Sequence, residues 1–188
     1  MSSKLQEKVL LYRIQTKRDA TAYAELYDAH VAGVFRFISY KVNGREEAED
    51  LTSEVFLRTW HYLLESRDVV SFPSLVYRIA RNLVIDHYRS RKMHISLDEA
   101  IESDDGENTI GWSDDGQQML LVDMKMEAAE VMAAMKQMKA DYREVLMLRY
   151  IEELSVSEIA EIIGKTQVHV RVLLHRATKT LAGLLEKK

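Results

Sequence analysis

Apolar residues recur at helical spacing along most of this chain, and no long stretch alternates with the two-residue period of a strand. Lys4 to Ile14 fits a short helix, and Asp19 can cap a longer one. In the longer helix Tyr23, Leu26, Tyr27, Val31, Val34, Phe35 and Ile38 recur as a core stripe until Asn43-Gly44 ends it. From Glu46 to Leu64, Ala48, Leu51, Val55, Phe56 and Trp60 share an inner face. Glu47, Asp50, Glu54 and Arg58 fall at i, i+3, i+7 and i+11 on the outer one. Taken alone, such a charged stripe is a solvated helix face. Ser66 to Phe72 reads as a loop, and Pro73 suits the first turn of the next helix, Ser74 to Lys92. Val76, Ile79, Ala80, Leu83 and either His87 or Tyr88 form its inner side. Arg78, Arg81, Arg89, Arg91 and Lys92 make it basic, with Tyr77 and Tyr88 interleaved. Cations among aromatics suit single-stranded nucleic acid, where phosphates pair and bases stack. They equally suit an amphipathic helix whose tyrosines sit at the edge of the core.

Periodicity is lost over residues 93–118, and a third segment, 119–188, restores it. Leu120, Met124, Ala128, Val131, Met132, Met135 and Met138 make an apolar stripe, and DYREVLMLRYIEEL predicts a further helix. Leu154 to Leu181 then has the form of a helix-turn-helix. Ser155 and Glu158 match a capping box, Ile159, Ala160, Ile162 and Ile163 supply a buried face, and Gly164 permits a turn through positive φ. Thr166 can cap the second helix, in which Val170, Leu173, Leu174, Ala177 and Leu181 form a stripe. Gln167, His169, Arg171, His175, Arg176 and Lys179 avoid that stripe and form the polar, partly basic arc that a major groove accepts. The same pattern is open to a second reading, a helical hairpin in an ordinary bundle.

A single proline and seven glycines in 188 residues reinforce the all-α expectation: two small helical domains, residues 1–92 and 119–188, joined by a linker. Charge explains how a chain of net −4 can address nucleic acid. Residues 1–93 carry +3, residues 94–118 carry −8 with no lysine or arginine, and residues 119–188 carry +1. The acidity is thus confined to a segment whose composition predicts a flexible linker. There is no cysteine, hence neither a disulfide nor a thiolate metal site. No stretch reaches the ~18 apolar residues of a membrane span, and MSSKLQEKVLLYR lacks the apolar core of a signal peptide, so a cytoplasmic protein without membrane insertion is expected. The six histidines form no metal-spaced pair with acids, and neither a phosphate-binding glycine loop nor a nucleophile motif is present, which argues against an enzyme with a small-molecule substrate, metal or cofactor.

Two separated stretches resemble one family. AEDLTSEVFLRTW (Ala48 to Trp60) with VYRIARNLVIDHYRSRK (Val76 to Lys92) is similar to the second conserved region of bacterial sigma factors. YREVLMLRYIEELSVSEIAEIIGKTQVHVRVLLHRATKTL (Tyr142 to Leu181) is similar to the fourth. With only these two regions and a short linker, the chain resembles the extracytoplasmic-function group. That resemblance implies a partner, core RNA polymerase, docked by Glu47, Asp50, Glu54 and Arg58. It implies minus-ten promoter DNA at Arg67, Arg78, Arg81, Asn82, Arg89 and Arg91, with a base flipped from the non-template strand held near Arg78, Asn82 and the Arg67–Ser71 loop. It implies minus-thirty-five duplex at Thr166, Gln167, His169, Arg171, His175, Arg176 and Lys179, and an anti-sigma factor as inhibitory partner. The chain departs from the family pattern at Ser53, where glutamine is usual, at the apolar Val69 and Val70, and at Val168, Val172 and Leu173 of the recognition helix. The alternative function is a free-standing helix-turn-helix regulator, which leaves the charged stripe and the basic helix unexplained. A relaxed coil of the linker's length spans ~26–31 Å, whereas the two promoter elements lie ~70–80 Å apart on duplex. A more compact free protein is therefore expected, with the linker drawn out on polymerase.

Overall fold

The computed structural model describes residues 3–65, 68–95 and 126–186, all of whose regular elements are helical. Four helices make the N-terminal half: α1 (Ser3–Lys17), α2 (Ala20–Ser39), α3 (Arg45–Glu65) and α4 (Phe72–Ile95). The C-terminal half follows as α5 (Met126–Lys136), α6 (Ala140–Leu146), a π turn (Met147–Ile151), α7 (Val156–Ile163) and α8 (Gln167–Leu185).

Local chemistry accounts for the boundaries. Asp19 Oδ1 accepts from the backbone N–H groups of Thr21 and Ala22, satisfying two donors that a helix start otherwise leaves open. The Thr21 hydroxyl above all, then the Ala22 N–H and the Arg13 guanidinium at 2.8 Å, hold its carboxyl down at about 2. Gly44 adopts φ 98 just before α3, where only glycine turns without cost. Pro73 sits in the first turn of α4, where its missing N–H leaves no gap in the ladder.

Buried apolar residues of the two halves form one contiguous cluster. Its largest members include Tyr40, Phe37, Phe72, Ile14 and Leu26 from the N-terminal half and Met147, Leu148 and Ile159 from the C-terminal half. The predicted stripes of α2 and α3 lie largely inside, with Ala48, Val55 and Phe56 buried and Leu51 and Trp60 half-buried. Three expectations need correction. Tyr27 is 39% exposed, because it rests its ring on Phe56 (centroids 4.6 Å apart) at the rim rather than under it. Tyr77, expected at a nucleic-acid face or a core edge, is 2% exposed, with its ring edge-on to Phe37 at 5.5 Å. The helix predicted from DYREVLMLRYIEEL changes pitch at Met147, where a π turn closes with Glu152 N–H donating to the Met147 carbonyl (3.0 Å). Of the C-terminal methionine stripe, Met132, Met135 and Met138 are buried, while Leu120, Met124 and residues 96–118 of the expected linker lie outside the described residues.

Candidate nucleic-acid interface

The helix-turn-helix forms as its sequence dictates. Ser155 Oγ accepts from Glu158 N–H (3.3 Å), and a Glu158 carboxylate oxygen accepts from Ser155 N–H (2.8 Å), completing the capping box. Gly164 takes φ 66, and Lys165 N–H returns to the Ala160 carbonyl (3.0 Å) to close α7. Thr166 caps α8 through His169 N–H (3.2 Å). Val170 and Ala177 are fully buried against α7, while Leu173, Leu174 and Leu181 pack at the edge of the core. Ala160, 7% exposed, lets the two helices approach closely. Thr166, Gln167, His169, Arg171, His175, Arg176 and Lys179 are all exposed on the outer arc. Gln167 Nε2 donates to Ser157 Oγ (3.3 Å), tying the start of α8 to the first turn of α7. Val168 and Val172, 67% and 44% exposed, leave two apolar side chains open on the same helix.

On α3 the stripe is continuous, but its members differ. Asp50 is exposed, and Glu54 pairs with Arg58 at 2.7 Å. Glu47 is partly committed to the fold: its Oε1 lies 2.6 Å from His87 Nε2 and 3.5 Å from Arg91, and its Oε2 accepts from Asn43 N–H. Those contacts place Arg91 beside the acidic stripe rather than on a separate basic face.

On α4, Arg78 is half-buried, Asn82 and Arg89 are exposed, and Arg67 lies outside the described residues. Arg81 is engaged otherwise: its Nε donates to Glu144 of α6 (3.3 Å), whose second oxygen accepts from Lys41 Nζ (2.8 Å). Lys41 also sits 4.8 Å above the Phe37 ring. Burial opposes ionisation of Glu144, but Lys41 and Arg81 outweigh it and hold the carboxyl below its ordinary value. Tyr88 completes this corner by donating its hydroxyl to the Lys41 carbonyl. Nearby, Glu152 takes a two-pronged contact from Arg36 (2.9 and 3.0 Å) and the Tyr77 hydroxyl (2.5 Å). Burial first, and then the Glu152 charge, push the Tyr77 hydroxyl far above its ordinary pKa. Glu153 is held at φ 55, a conformation costing a non-glycine residue ~1–2 kcal/mol. Lys41, Glu144, Arg36 and Glu152 escaped the sequence reading because their partners lie 63 to 116 residues away. One signal was available: Glu144 is four residues before the buried Leu148, and so falls on an apolar helix face.

Among the described residues no cluster of His, Asp or Glu could hold a metal ion, and no helix is long and apolar enough to cross a membrane.

A helix-turn-helix with an exposed polar arc, joined to a second helical body carrying a basic helix, has the form of a DNA-binding transcription factor. Residues 26–93 match the family described as Sigma-70 region 2, and residues 128–181 match Sigma-70 region 4. The chain belongs to the sigma-70 family of RNA polymerase sigma factors, in its extracytoplasmic-function (ECF) group, which comprises transcription initiation factors rather than enzymes. It is 33% identical over 173 residues to the ECF sigma factor BldN of Streptomyces coelicolor, covering 89% of this chain and 61% of BldN. Against the ECF sigma factor SigW of Bacillus subtilis it is 29% identical over 170 residues, covering 88% and 89%. Two solved structures share the fold. CnrH in complex with the cytosolic domain of CnrY has TM-score 0.67 at 20% identity, covering 97% of this chain and 99% of that one. RpoE from Bartonella quintana, in complex with the anti-sigma factor NepR, has TM-score 0.64 at 18% identity, covering 87% and 96%.

Proposed function

We propose that this chain is a dissociable promoter-specificity subunit of RNA polymerase, acting in the cytoplasm. The α3 stripe, chiefly Asp50 and Glu54, docks on a basic surface of the core enzyme. Arg78, Asn82, Arg89 and Arg91 of α4, with Arg67 before it, take the minus-ten element as it opens, and Arg81 joins them once released from Glu144. The outer arc of α8 reads the minus-thirty-five element as duplex, and an anti-sigma factor restrains the protein. The supporting observation is one chain holding both an open recognition helix and, elsewhere, an acidic stripe that stays accessible at Asp50 and Glu54, beside a basic helix. A free-standing regulator needs only the first. Co-migration of the purified chain with core polymerase in gel filtration is the expected result, and separate elution would return the reading to a free-standing regulator.

The minus-ten assignment has its own signature. Flipping a base costs a few kcal/mol in closed duplex and little in an open strand. Asn82→Ala in the polymerase complex is therefore expected to weaken binding to a forked minus-ten probe about tenfold and to leave closed-duplex binding nearly unchanged. Equal loss on the two probes would remove Asn82 from the pocket.

A further inference from the structure

The bend that joins α2 to α3 has the sequence Val42-Asn43-Gly44, and both of its ends are pinned. Val42 is fully buried and donates its N–H to the Ile38 carbonyl (3.1 Å), while the Gly44 carbonyl accepts from the buried Ala48 (3.4 Å) as α3 starts. Between them Asn43 is exposed, its backbone N–H held by Glu47 Oε2 (3.0 Å). Among the described residues the Asn43 side-chain amide has no hydrogen-bond partner, and the Gly44 N–H donates to none. These two groups are neighbours along the chain. An asparagine Cγ lies within reach of the next residue's nitrogen, and the ring that joins them has five members. Closure is ordinarily blocked by a side chain on the following residue, or by a nitrogen whose N–H is committed to a helix. Neither obstacle is present at this bend. A Cβ added at Gly44 would meet nothing within 4 Å, and its φ of 98 is one that glycine adopts freely. The bend also lines an open cavity of about 770 Å³, shared with Glu47, Asp50, His87 and Arg91, so water has access to it. Asn82 makes the contrast: it stands inside α4 before Leu83, whose N–H belongs to the helix ladder.

We propose that Asn43 is a site of slow self-modification, in which the Gly44 nitrogen closes on the Asn43 side chain and the isoaspartate that follows loosens the start of α3. The nitrogen gives its proton to a base in the solvent and attacks Cγ. The new N–C bond forms, the bond from Cγ to Nδ2 breaks, and Nδ2 takes up a proton and leaves as ammonia. Water then adds to either carbonyl of the succinimide ring. Opening one side gives aspartate at this position; opening the other gives isoaspartate, with the main chain now running through the side-chain carbon. Water is the only co-reactant. The two products act in opposite directions. Aspartate adds a carboxylate, charged at neutral pH, just ahead of a helix N-terminus, where negative charge is favoured. Isoaspartate adds the same charge and also one methylene to the main chain, between the buried Val42 and Ala48. The N–H of residue 43 then no longer meets Glu47, and the first two turns of α3, which carry Glu47 and Asp50, fray. The inference touches the proposed function in one respect only, the docking of that stripe on polymerase.

Incubating the full chain at mildly alkaline pH for several days, then digesting it and sequencing the peptides by mass spectrometry, locates the change. Asn43 is expected to convert to aspartate and isoaspartate at a rate that rises with pH, while Asn82 stays intact. Asn43→Gln, which would need a six-membered ring, is expected to stay unconverted at that position. The isoaspartate form, separated by chromatography, is expected to exchange the amide hydrogens of the first two turns of α3 faster than the parent. It is also expected to bind core polymerase about five- to tenfold more weakly, the size of one lost hydrogen bond. Asn43→Asp, which has the charge without the methylene, is expected to do neither. Conversion of Asn43 no faster than that of Asn82, or an isoaspartate form whose α3 exchanges as the parent does, would overturn the proposal. Core binding speaks to the proposed function instead: a frayed α3 with undiminished binding would remove the stripe from docking and leave the modification standing.

Discussion

Asp50→Arg combined with Glu54→Arg is expected to abolish binding to core RNA polymerase while leaving the helices in place. Asp50 is exposed, and among the described residues Glu54 is tied only to Arg58 one turn along α3. A surface pair of that kind stabilises a helix by ~0.3–0.5 kcal/mol, and the like-charge pair replacing it costs a similar amount. The thermal midpoint should therefore move by only a few degrees. The effect on docking is of a different size. Close charge pairs across interfaces couple by ~1.5–7 kcal/mol, so turning two attractions into repulsions should cost at least ~3 kcal/mol, or more than a hundredfold in affinity. Fluorescence anisotropy against labelled core enzyme measures it. Unchanged affinity would show that the stripe is an ordinary solvated face. Glu47 is a poorer target, because its carboxylate also holds Asn43 and faces His87 and Arg91. Reversing it would confuse loss of docking with loss of fold.

The second large effect belongs to α8. Arg171→Ala with Arg176→Ala is expected to cost ~2–6 kcal/mol in minus-thirty-five recognition, from ~1–3 kcal/mol for each lost base contact. Both side chains are exposed, so stability should change by less than ~0.5 kcal/mol each. The two singles separate the roles. Loss of a base-reading arginine relaxes preference at one promoter position, whereas loss of a phosphate contact weakens all sequences alike and lowers the salt dependence by about one charge. If both variants use every minus-thirty-five sequence as the parent does, the reader lies elsewhere.

Much of this architecture is legible in the sequence because its determinants are local. The capping box at Ser155 and Glu158, the Gly164 turn, the Asp19 and Thr166 caps and the three- and four-residue spacing of α2, α3 and α8 all lie within a few residues of what they organise. The exposed faces of α3 and α8 were legible for the same reason: a helix period tells which residues share a face. What a face meets is a tertiary fact. Nothing near Tyr77 says that Glu152, 75 residues on, will receive its hydroxyl, and so a tyrosine read as nucleic-acid facing or core-edge proved to be buried. Arg81 shows the same limit, since spacing puts it on a basic face and only the fold brings Glu144 to it. The π turn at Met147 was also hidden, because MLRYI continues an apolar helical pattern while its backbone changes pitch.

The central claim is that one chain supplies both promoter surfaces to RNA polymerase. Transcription by purified core enzyme, with and without this chain, on a library randomised across the minus-ten and minus-thirty-five elements tests it most directly. The account predicts transcripts only when the chain is present, with two enriched sequence blocks at a fixed separation, the upstream block lost in Arg171→Ala with Arg176→Ala. Transcripts independent of the chain, or a single enriched block unaffected by those substitutions, would contradict it.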